Sequence, residues 1–374
     1  MHDKIYIGMM SGTSLDAIDC VLTSFGKAQT NRAVTLLATH SHPFPETTHG
    51  QLLQLISKPE EIIPAELGPL DNELGHIYAG AVNALLEEAD YTNEQITAIG
   101  NHGQTVLHKP DADPGFSLQL GNGQIIANET GITTVVDFRS ADIALGGQGA
   151  PLVPGFHQHV FAQSDRTRII LNIGGIANIT VLGSNGVVSG FDTGPGNTLL
   201  DMWANEHTGE RFDADGAWAA SGTPLPALLH ELLGDAYFQT PPPKSTGREY
   251  FNLAWLKPYL NEVEIQAADV QATLTELTAQ TIATAIHQQT STAEVLVCGG
   301  GTENGYLMQA LTRHLSGITV TPMPETILPP EWVEAAAFAW LARARLQNEP
   351  AGLPQVTGAS APALLGRVFV PAEA

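Results

Sequence analysis

Cysteine is nearly absent from this chain, and long apolar runs are absent altogether. The two cysteines, Cys20 and Cys298, lie in short apolar stretches that are typical of strands, so neither a disulfide framework nor a cysteine-based metal site is expected. No apolar run approaches the ~20 residues that cross a bilayer, and the N-terminus has no basic region followed by an apolar one. We therefore expect a cytoplasmic protein with no membrane partner.

Positive charge is also scarce. Lys and Arg number 16 against 39 Asp and Glu, which gives a net charge of −23. So acidic a chain is unsuited to nucleic acids and anionic membranes, which leaves small molecules as the expected partners. The 374 residues, 43% of them hydrophobic, can bury a large core and are expected to form two domains. The sequence leaves a homodimer open.

The turn near the N-terminus is unusually rich in groups that bind ligands. Strands predicted over residues 4–9 and 18–24 flank it, so the segment is expected to be a β-hairpin. The turn offers backbone N–H groups at Gly12 and carboxylates at Asp16 and Asp19, together with the hydroxyls of Ser11, Thr13 and Ser14. These donors and carboxylates suit a magnesium-bound phosphate, although a polar turn that binds nothing is an equally good interpretation of the turn alone.

The order of predicted elements occurs twice in the chain. Each half has three strands with short links, typical of an antiparallel meander, followed by helices alternating with parallel strands. The first meander is predicted over 4–9, 18–24 and 34–42, and the second over 168–173, 178–182 and 187–191. Further helices are predicted over 71–90, 153–161, 270–285 and 331–346, and further strands over 96–99, 133–138, 294–298 and 318–321. A loop-rich insertion surrounds residues 241–248.

This duplication predicts the fold class. We expect an α/β protein of two lobes, each with a mixed five-stranded sheet flanked by helices, with the active site in the cleft between them. Lobe I is predicted to span 1–165 and to be joined by the C-terminal segment 331–374. Lobe II is predicted to span 166–330.

Two further glycine turns occupy matching places in the second half. The hairpin turn with Gly174 and Gly175 is the counterpart of the first turn, and its backbone amides can surround phosphate oxygens. The run of Gly299, Gly300 and Gly301 follows a predicted parallel strand, where a flat base can lie against backbone. Each run alone is explained as well by a tight turn. Neither a P-loop nor a Rossmann motif is present.

Polar side chains also follow the predicted parallel strands of the first half. His102 and Gln104 come after the strand at 96–99, and Arg139 and Asp142 come after the strand at 133–138. Such residues can bind a polar substrate. The alternatives are a structural histidine and a surface salt bridge between Arg139 and Asp142.

Six motifs taken together resemble those of the anhydro-N-acetylmuramic acid kinase family, which belongs to the actin, hexokinase and Hsp70 superfamily. They are residues 8–16, 103–105, 137–139 with 146–154, 172–178, 191–197 and 298–301. The resemblance covers nearly the whole chain. It implies an ATP-dependent enzyme of cell-wall recycling that opens 1,6-anhydro-N-acetylmuramic acid and forms N-acetylmuramic acid 6-phosphate. Ala17 and Thr302-Glu303 depart from the family pattern.

The resemblance also implies roles for individual residues. Asp192 is the expected catalytic base, with a helix N-cap as its alternative role. The expected ATP-binding residues are Ser11, Gly12, Thr13, Ser14, Leu15, Asp16, Ala17, Ile18, Asp19, Gly174, Gly175, Asn178, Gly299, Gly300 and Gly301. Asp16 is expected to hold Mg²⁺ through water. The expected substrate-binding residues are His102, Gln104, Arg139, Gly194, Asn197 and Glu334, the last of which could instead serve the helix dipole.

Two other functions stay open at this point. One is an actin- or Hsp70-like ATPase that drives assembly or client binding. The other is an ordinary sugar kinase, in which Asp192 would deprotonate a hydroxyl of an open hexose instead of a water molecule.

Overall fold

The computed structural model describes residues 4–12, 15–28, 30, 33–58, 62–260, 265–324 and 328–372. The chain divides into two compact units. Unit 1 comprises Met1–Val160 and Glu325–Ala374, and unit 2 comprises Phe161–Pro324. Within the described ranges, no helix combines the length and the apolar character that a membrane span requires.

Unit 1 is built on a six-stranded mixed sheet. Its strands are β1 (Ile5–Met10), β2 (Ile18–Phe25), β3 (Val34–His42), β4 (Ile96–Asn101), β7 (Thr134–Val136) and β13 (Arg367–Phe369), in the order β13-β7-β4-β1-β2-β3. The meander β1-β2-β3 is antiparallel, and β4 runs parallel to β1 and β7. The prediction of five strands was wrong by one, because β13 is a three-residue edge strand with too little periodicity to be recognised.

The helices of unit 1 cover both faces of this sheet. They are α1 (Glu46–Ser57), α2 (Pro64–Ala89), α3 (Gly123–Thr130), α4 (Ser140–Ile143), α5 (Pro154–Phe161), α13 (Val333–Leu346) and α14 (Pro354–Thr357). Helix α2 begins at Pro64, seven residues before the predicted start, because a proline is well suited to the first helical position. A small hairpin of β5 (Gln104–Lys109) and β6 (Phe116–Leu120) was not predicted.

Helix α13 lies directly against β1 and β4. A Cβ atom at Gly8 would overlap the carbonyl oxygen of Ala335, so glycine in the strand allows the helix backbone to approach. The buried face of α13 is largely alanine, including Ala336 and Ala339, which keeps the distance short. This packing fixes the beginning of α13, and with it Glu334, beside the ends of the two strands.

Unit 2 repeats this sheet topology with five strands. They are β8 (Arg168–Ile173), β9 (Ile176–Leu182), β10 (Val188–Pro195), β11 (Glu294–Cys298) and β12 (Thr319–Pro322), in the order β10-β9-β8-β11-β12. Strands β8, β9 and β10 are antiparallel, whereas β11 is parallel to β8 and β12. The duplicated α/β fold predicted from the sequence is confirmed.

The helices of unit 2 are α6 (Thr198–Thr208), α7 (Ala217–Ser221), α8 (Pro226–Leu233), α9 (Ala236–Gln239), α10 (Leu253–Leu256), α11 (Ala267–Gln289) and α12 (Gly305–His314). Four of them, α7 to α10, lie in the insertion that was expected to be mainly loops. Leu228, Leu232 and Phe251 of this insertion pack with Leu274 of α11 in one apolar cluster. The insertion is therefore an ordered part of the unit.

Candidate active site

The hydroxyl of Ser11 in the first turn is buried and hydrogen-bonded within unit 1. Its side chain is 2% exposed, and its hydroxyl lies 2.6 Å from the hydroxyl of Tyr78 on α2. Ser11 Oγ therefore supports the turn from inside the unit, and any phosphate contact is left to its backbone. Tyr78 was not singled out from the sequence, since an aromatic residue at helical spacing is typical of a core.

The rest of this turn is tightly shaped. Leu15 donates its N–H to the carbonyl of Gly12 at 3.2 Å and has a φ of +59°, an uncommon conformation for a residue with a side chain. Ala17 has no positive φ, so alanine fits where the family usually has glycine. Ile18 is fully buried in the core as the first residue of β2. Two further predicted ligands, Thr13 and Ser14, lie outside the described residues.

Gln104 braces this turn from the neighbouring hairpin. It is fully buried, and its Nε2 donates to the carbonyl of Gly12 at 3.3 Å. Its Oε1 has no hydrogen-bond partner among the described residues. The structure thus gives Gln104 a role in holding Gly12, and contact with a sugar stays a prediction.

Carboxylates gather beside the turn. Asp16 is exposed, and Asp19 accepts a hydrogen bond from the Ser41 hydroxyl at 3.0 Å. Burial raises the pKa of Asp19, the Ser41 bond opposes this, and the charges of Asp16 and Glu331 add to the increase. Such mutual repulsion indicates a concentration of negative charge that a divalent cation would relieve.

Arg139 is held by two partners. Its Nη2 lies 2.7 Å from Nε2 of His102, and its Nη1 donates to the carbonyl of Gly149 at 2.6 Å. Asp142 accepts from the N–H of the same Gly149 at 2.8 Å. The predicted alternative of a salt bridge between Arg139 and Asp142 is therefore wrong, because both side chains hydrogen-bond the backbone of Gly149 instead.

His102 is neutral in this arrangement. Burial and the nearby Arg139 charge lower its pKa well below the usual range, which makes Nε2 an acceptor for the guanidinium. Burial lowers the pKa of Arg139 to about 10, while the charges of Glu334 and Asp142 oppose that change. The Nε atom of Arg139 has no partner in the described part of the chain.

Glu334 is the other charged group on this side of unit 1. It lies in the first turn of α13, where the protein atoms packed around it disfavour the charged carboxylate and raise its pKa. The Arg139 charge opposes this increase and the Asp19 charge adds to it. A carboxylate and a guanidinium therefore face the same space in unit 1, without a direct ion pair between them.

The hairpin turn of unit 2 leaves its amides available. The carbonyls of Gly174 and Gly175 accept hydrogen bonds from the backbone of residues 196–198 at 2.8 to 3.0 Å. A Cβ atom at Gly196 would overlap the carbonyl of Gly174, so this approach requires glycine. The N–H groups of Gly174 and Gly175 donate to no atom in the described ranges. These two N–H groups can therefore donate hydrogen bonds to a bound anion.

Asp192 lies inside a strand and not at a helix end. Strand β10 continues to Pro195, four residues beyond its predicted end, and α6 has its N-cap at Asn197. The alternative role of Asp192 as an N-cap is therefore wrong. The prediction ended the strand early because the Gly194-Pro195 pair resembles a turn; Gly194 instead has a φ of +147° next to a β-bulge.

The insertion binds Asp192 at the free edge of β10. The backbone N–H of Thr246 donates to Oδ2 of Asp192 at 2.9 Å, and the backbone N–H of Asp192 donates to the carbonyl of Lys244 at 3.2 Å. The Tyr237 hydroxyl donates to the backbone carbonyl of Asp192 at 2.8 Å. These contacts were not predicted, because the insertion was interpreted as an interruption of the fold.

The carboxyl of Asp192 has a perturbed pKa. The pKa of Asp192 is raised to about 6, mainly by burial. The hydrogen bond from Thr246 and the charge of Lys244 oppose this increase, and the charge of Glu249 adds to it. At pH 7 the group is mainly ionised and close to the pKa that favours proton transfer. Asn178 lies beside Asp192 on β9, and Asn172 lies next to Asn178 on β8, which places three polar residues in a row on one face of the sheet.

A cavity of about 680 Å³ lies beside these strands within unit 2. Its lining includes Asn197, Asp201, Phe212, Gly300 and Asn304. Gly300 belongs to the predicted base-binding loop, in which Thr302 donates its hydroxyl to the carbonyl of Gly299 at 2.8 Å, so threonine supports the turn. Asn197 lines this cavity and its Nδ2 donates to the carbonyl of Ile173 at 3.3 Å, while its contact with the sugar stays a prediction.

This chain is similar in sequence to one family of known proteins. The family model described as anhydro-N-acetylmuramic acid kinase matches residues 4–371. A relative of that name from Xanthomonas campestris pv. campestris is 48% identical over 369 residues, covering 98% of each chain. One from Shewanella pealeana is 48% identical over 375 residues, covering 100% of each. A glucokinase of the ROK family from Streptomyces griseus aligns with 91% of this chain and 99% of its own at 14% identity and a TM-score of 0.42.

The family model and the relatives at 48% identity show that this chain, built from two units with the same mixed-sheet topology, is a carbohydrate kinase. The matching motifs extend from one end of the chain to the other. The chain belongs to the anhydro-N-acetylmuramic acid kinase family.

Proposed function

We propose that this protein hydrolytically opens 1,6-anhydro-N-acetylmuramic acid and phosphorylates O6 with ATP and Mg²⁺. The products are N-acetylmuramic acid 6-phosphate and ADP, and the reaction serves cell-wall recycling and amino-sugar catabolism in the cytoplasm. The observation that carries the proposal is the Asp192 carboxyl, partly exposed, anchored by Thr246 and raised in pKa to about 6.

The bicyclic substrate explains why a base must act on water. It has no free 6-hydroxyl, because O6 is bonded to C1. Water attacks C1 and gives one proton to Asp192, and the C1–O6 bond breaks with its electron pair going to O6. O6 then forms a bond to the γ-phosphorus as the bond from that phosphorus to the β,γ-bridging oxygen breaks, which releases ADP. The phosphoryl group thus takes the place of a general acid.

The surroundings of Asp192 suit this role. The single hydrogen bond from Thr246 reaches Oδ2 and leaves Oδ1 without a recorded partner in the described ranges. An oxygen with a raised pKa and a free lone pair can accept a proton from a bound water. Asn178 is in register with Asp192 on the adjacent strand, and we assign it to the nucleotide.

Nucleotide is assigned to unit 2 and to the first turn of unit 1. The free N–H groups of Gly174 and Gly175 suit phosphate oxygens, and the cavity bounded by Gly300 suits the adenosine. The carboxylates of Asp16 and Asp19 suit Mg²⁺, which proteins commonly hold through one or two carboxylates, waters and substrate phosphates. When bound, the metal ion neutralises charge on the phosphates; we assign Asp16 to it through water.

The sugar is assigned to the polar groups of unit 1. Arg139 and His102 are held rigidly by each other and by Gly149. A guanidinium suits the lactyl carboxylate, and Glu334 can accept from a hydroxyl or amide of the sugar. These residues would orient the substrate and take no part in proton transfer.

Isotope labelling tests both the substrate and the bond that breaks. With ATP, we expect turnover of the 1,6-anhydro-sugar and none of an open hexose. A short reaction in ¹⁸O-water should place label at the C1 hydroxyl and none in the phosphate ester, as mass spectrometry of the product would show. Short times are needed because a reducing sugar slowly exchanges its C1 oxygen. Label in the ester, or turnover of the hexose alone, would contradict the proposal.

The pH profile should report Asp192. Because the ionised carboxylate is the base, kcat/KM for the sugar should be level above a pKa of about 6 and fall with decreasing pH below it. Burial also raises the pKa of Asp201 in the nucleotide cavity to about 6, so ATP must be saturating throughout. Asp201→Asn is the matched control and should keep the profile. A profile that shifts with Asp201→Asn would assign the titration to the nucleotide cavity.

A further inference from the structure

One cation of unit 2, the guanidinium of Arg248, lies against the glycine hairpin. The Arg248 guanidinium covers Gly175: a Cβ atom at that position would lie 2.9 Å from Nε and 3.0 Å from Nη2 of Arg248. The side chain of Arg248 extends from the insertion to the turn between β8 and β9, so the positions of both segments determine where the guanidinium lies. Gly175 supplies the room for it.

The donors of this guanidinium are unused. The side chain of Arg248 makes no recorded hydrogen bond or ion pair with any residue that the structure describes, and the residue is exposed. A nearby charge does act at longer range, since Arg248 and Arg211 both oppose the raised pKa of Asp201. The donors of this planar guanidinium are therefore available to a ligand, next to the backbone N–H groups of Gly174 and Gly175.

The base of Arg248 is anchored close to Asp192. The N–H of Thr246 donates to the carboxylate of Asp192, and the carbonyl of Lys244 accepts from the N–H of Asp192. The Nζ atom of Lys244 donates to the carbonyl of Tyr237 at 3.0 Å and lies 4.5 Å from the centre of the Tyr237 ring. The backbone of Arg248 itself accepts from Asn252. The segment of residues 244–248 thus joins the proposed base to the hairpin by ordered contacts.

We propose that Arg248 binds the phosphate chain of the nucleotide together with the N–H groups of Gly174 and Gly175. The inference rests on the proposed function, and it deepens that function by naming a residue of the insertion as a phosphate ligand. A guanidinium fork matches two phosphate oxygens, and this chain has no P-loop lysine to supply that charge. In a protein of net charge −23, a local cation is needed where phosphates bind.

If Arg248 contacts the phosphate chain, its removal should weaken binding of nucleotides with a long phosphate chain more than binding of AMP. Arg248→Gln should weaken binding of a non-hydrolysable ATP analogue by about 10- to 100-fold, the loss expected for hydrogen bonds to a charged group. AMP, which has its base and sugar in the same cavity but lacks the β- and γ-phosphates, should lose less than about twofold. Calorimetric titration of AMP, ADP and the analogue, each without sugar, gives the three constants and locates the phosphate that Arg248 contacts.

Two further variants make the result decisive. Arg166→Gln removes the same charge from the same unit, at an exposed arginine paired with Asp165 at 3.0 Å, and should leave all three affinities unchanged. Arg248→Lys should recover part of the loss, because it keeps the charge but not the fork. Equal losses for AMP and the ATP analogue, or no loss for either, would overturn the inference. If the unaltered protein binds no nucleotide, the proposed function itself fails, which is a separate outcome.

Discussion

Asp192→Asn should lower kcat by about 10²- to 10⁴-fold, the range that a positioned general base contributes. Asparagine keeps the shape of the side chain, and its carbonyl oxygen can still accept the Thr246 N–H that binds Oδ2 in the protein. What is lost is the ability to take a proton from water. Steady-state turnover of the anhydro-sugar under saturating ATP measures the change.

Binding should survive this substitution. The variant keeps the contacts of Lys244 and Tyr237 with the backbone of Asp192, so segment 244–248 should stay in place. It also removes a charge whose burial is unfavourable, as the raised pKa shows, so the melting temperature should not fall. Calorimetry should find nearly unchanged affinities for both substrates. An Asp192→Asn enzyme with more than about a tenth of normal turnover would show that Asp192 is not the base.

Most strands could be predicted from the sequence because short apolar runs are separated by turn residues such as glycine. Strand β8, from Arg168 to Ile173, and strand β11, from Glu294 to Cys298, have their predicted bounds. Strand β10 was cut short because glycine and proline at 194 and 195 usually end a strand, whereas here they lie at a bulge on a sheet edge.

The contacts around the site were harder to predict, since they join residues far apart in the chain. Tyr78 and Ser11 are 67 positions apart, and Thr246 and Asp192 are 54 apart. No local periodicity encodes such pairs. Residues 244 and 246 of the insertion contact Asp192 through backbone groups, which every residue has, so the side-chain sequence does not reveal these contacts.

Arg139→Ala should raise KM for the anhydro-sugar by about 10- to 100-fold, because a hydrogen bond to a charged group is worth about 1.5 to 3 kcal/mol. KM for ATP should change little, since the nucleotide is assigned to other residues. Arg343→Ala is a suitable control: it removes an arginine of the same unit that pairs with Glu349 at 3.3 Å. Initial rates with each substrate varied in turn measure both constants.

A second sugar decides what Arg139 recognises. The 1,6-anhydro form of N-acetylglucosamine has the same bicyclic ring but no lactyl carboxylate, so Arg139→Ala should scarcely alter its kcat/KM. Loss of activity toward both sugars would instead mean that removing Arg139 displaces His102 and the Gly149 loop, to which its guanidinium is bonded. A lowered melting temperature would accompany that outcome. Selective loss for the lactyl sugar, at unchanged melting temperature, is the result that identifies Arg139 as its carboxylate ligand.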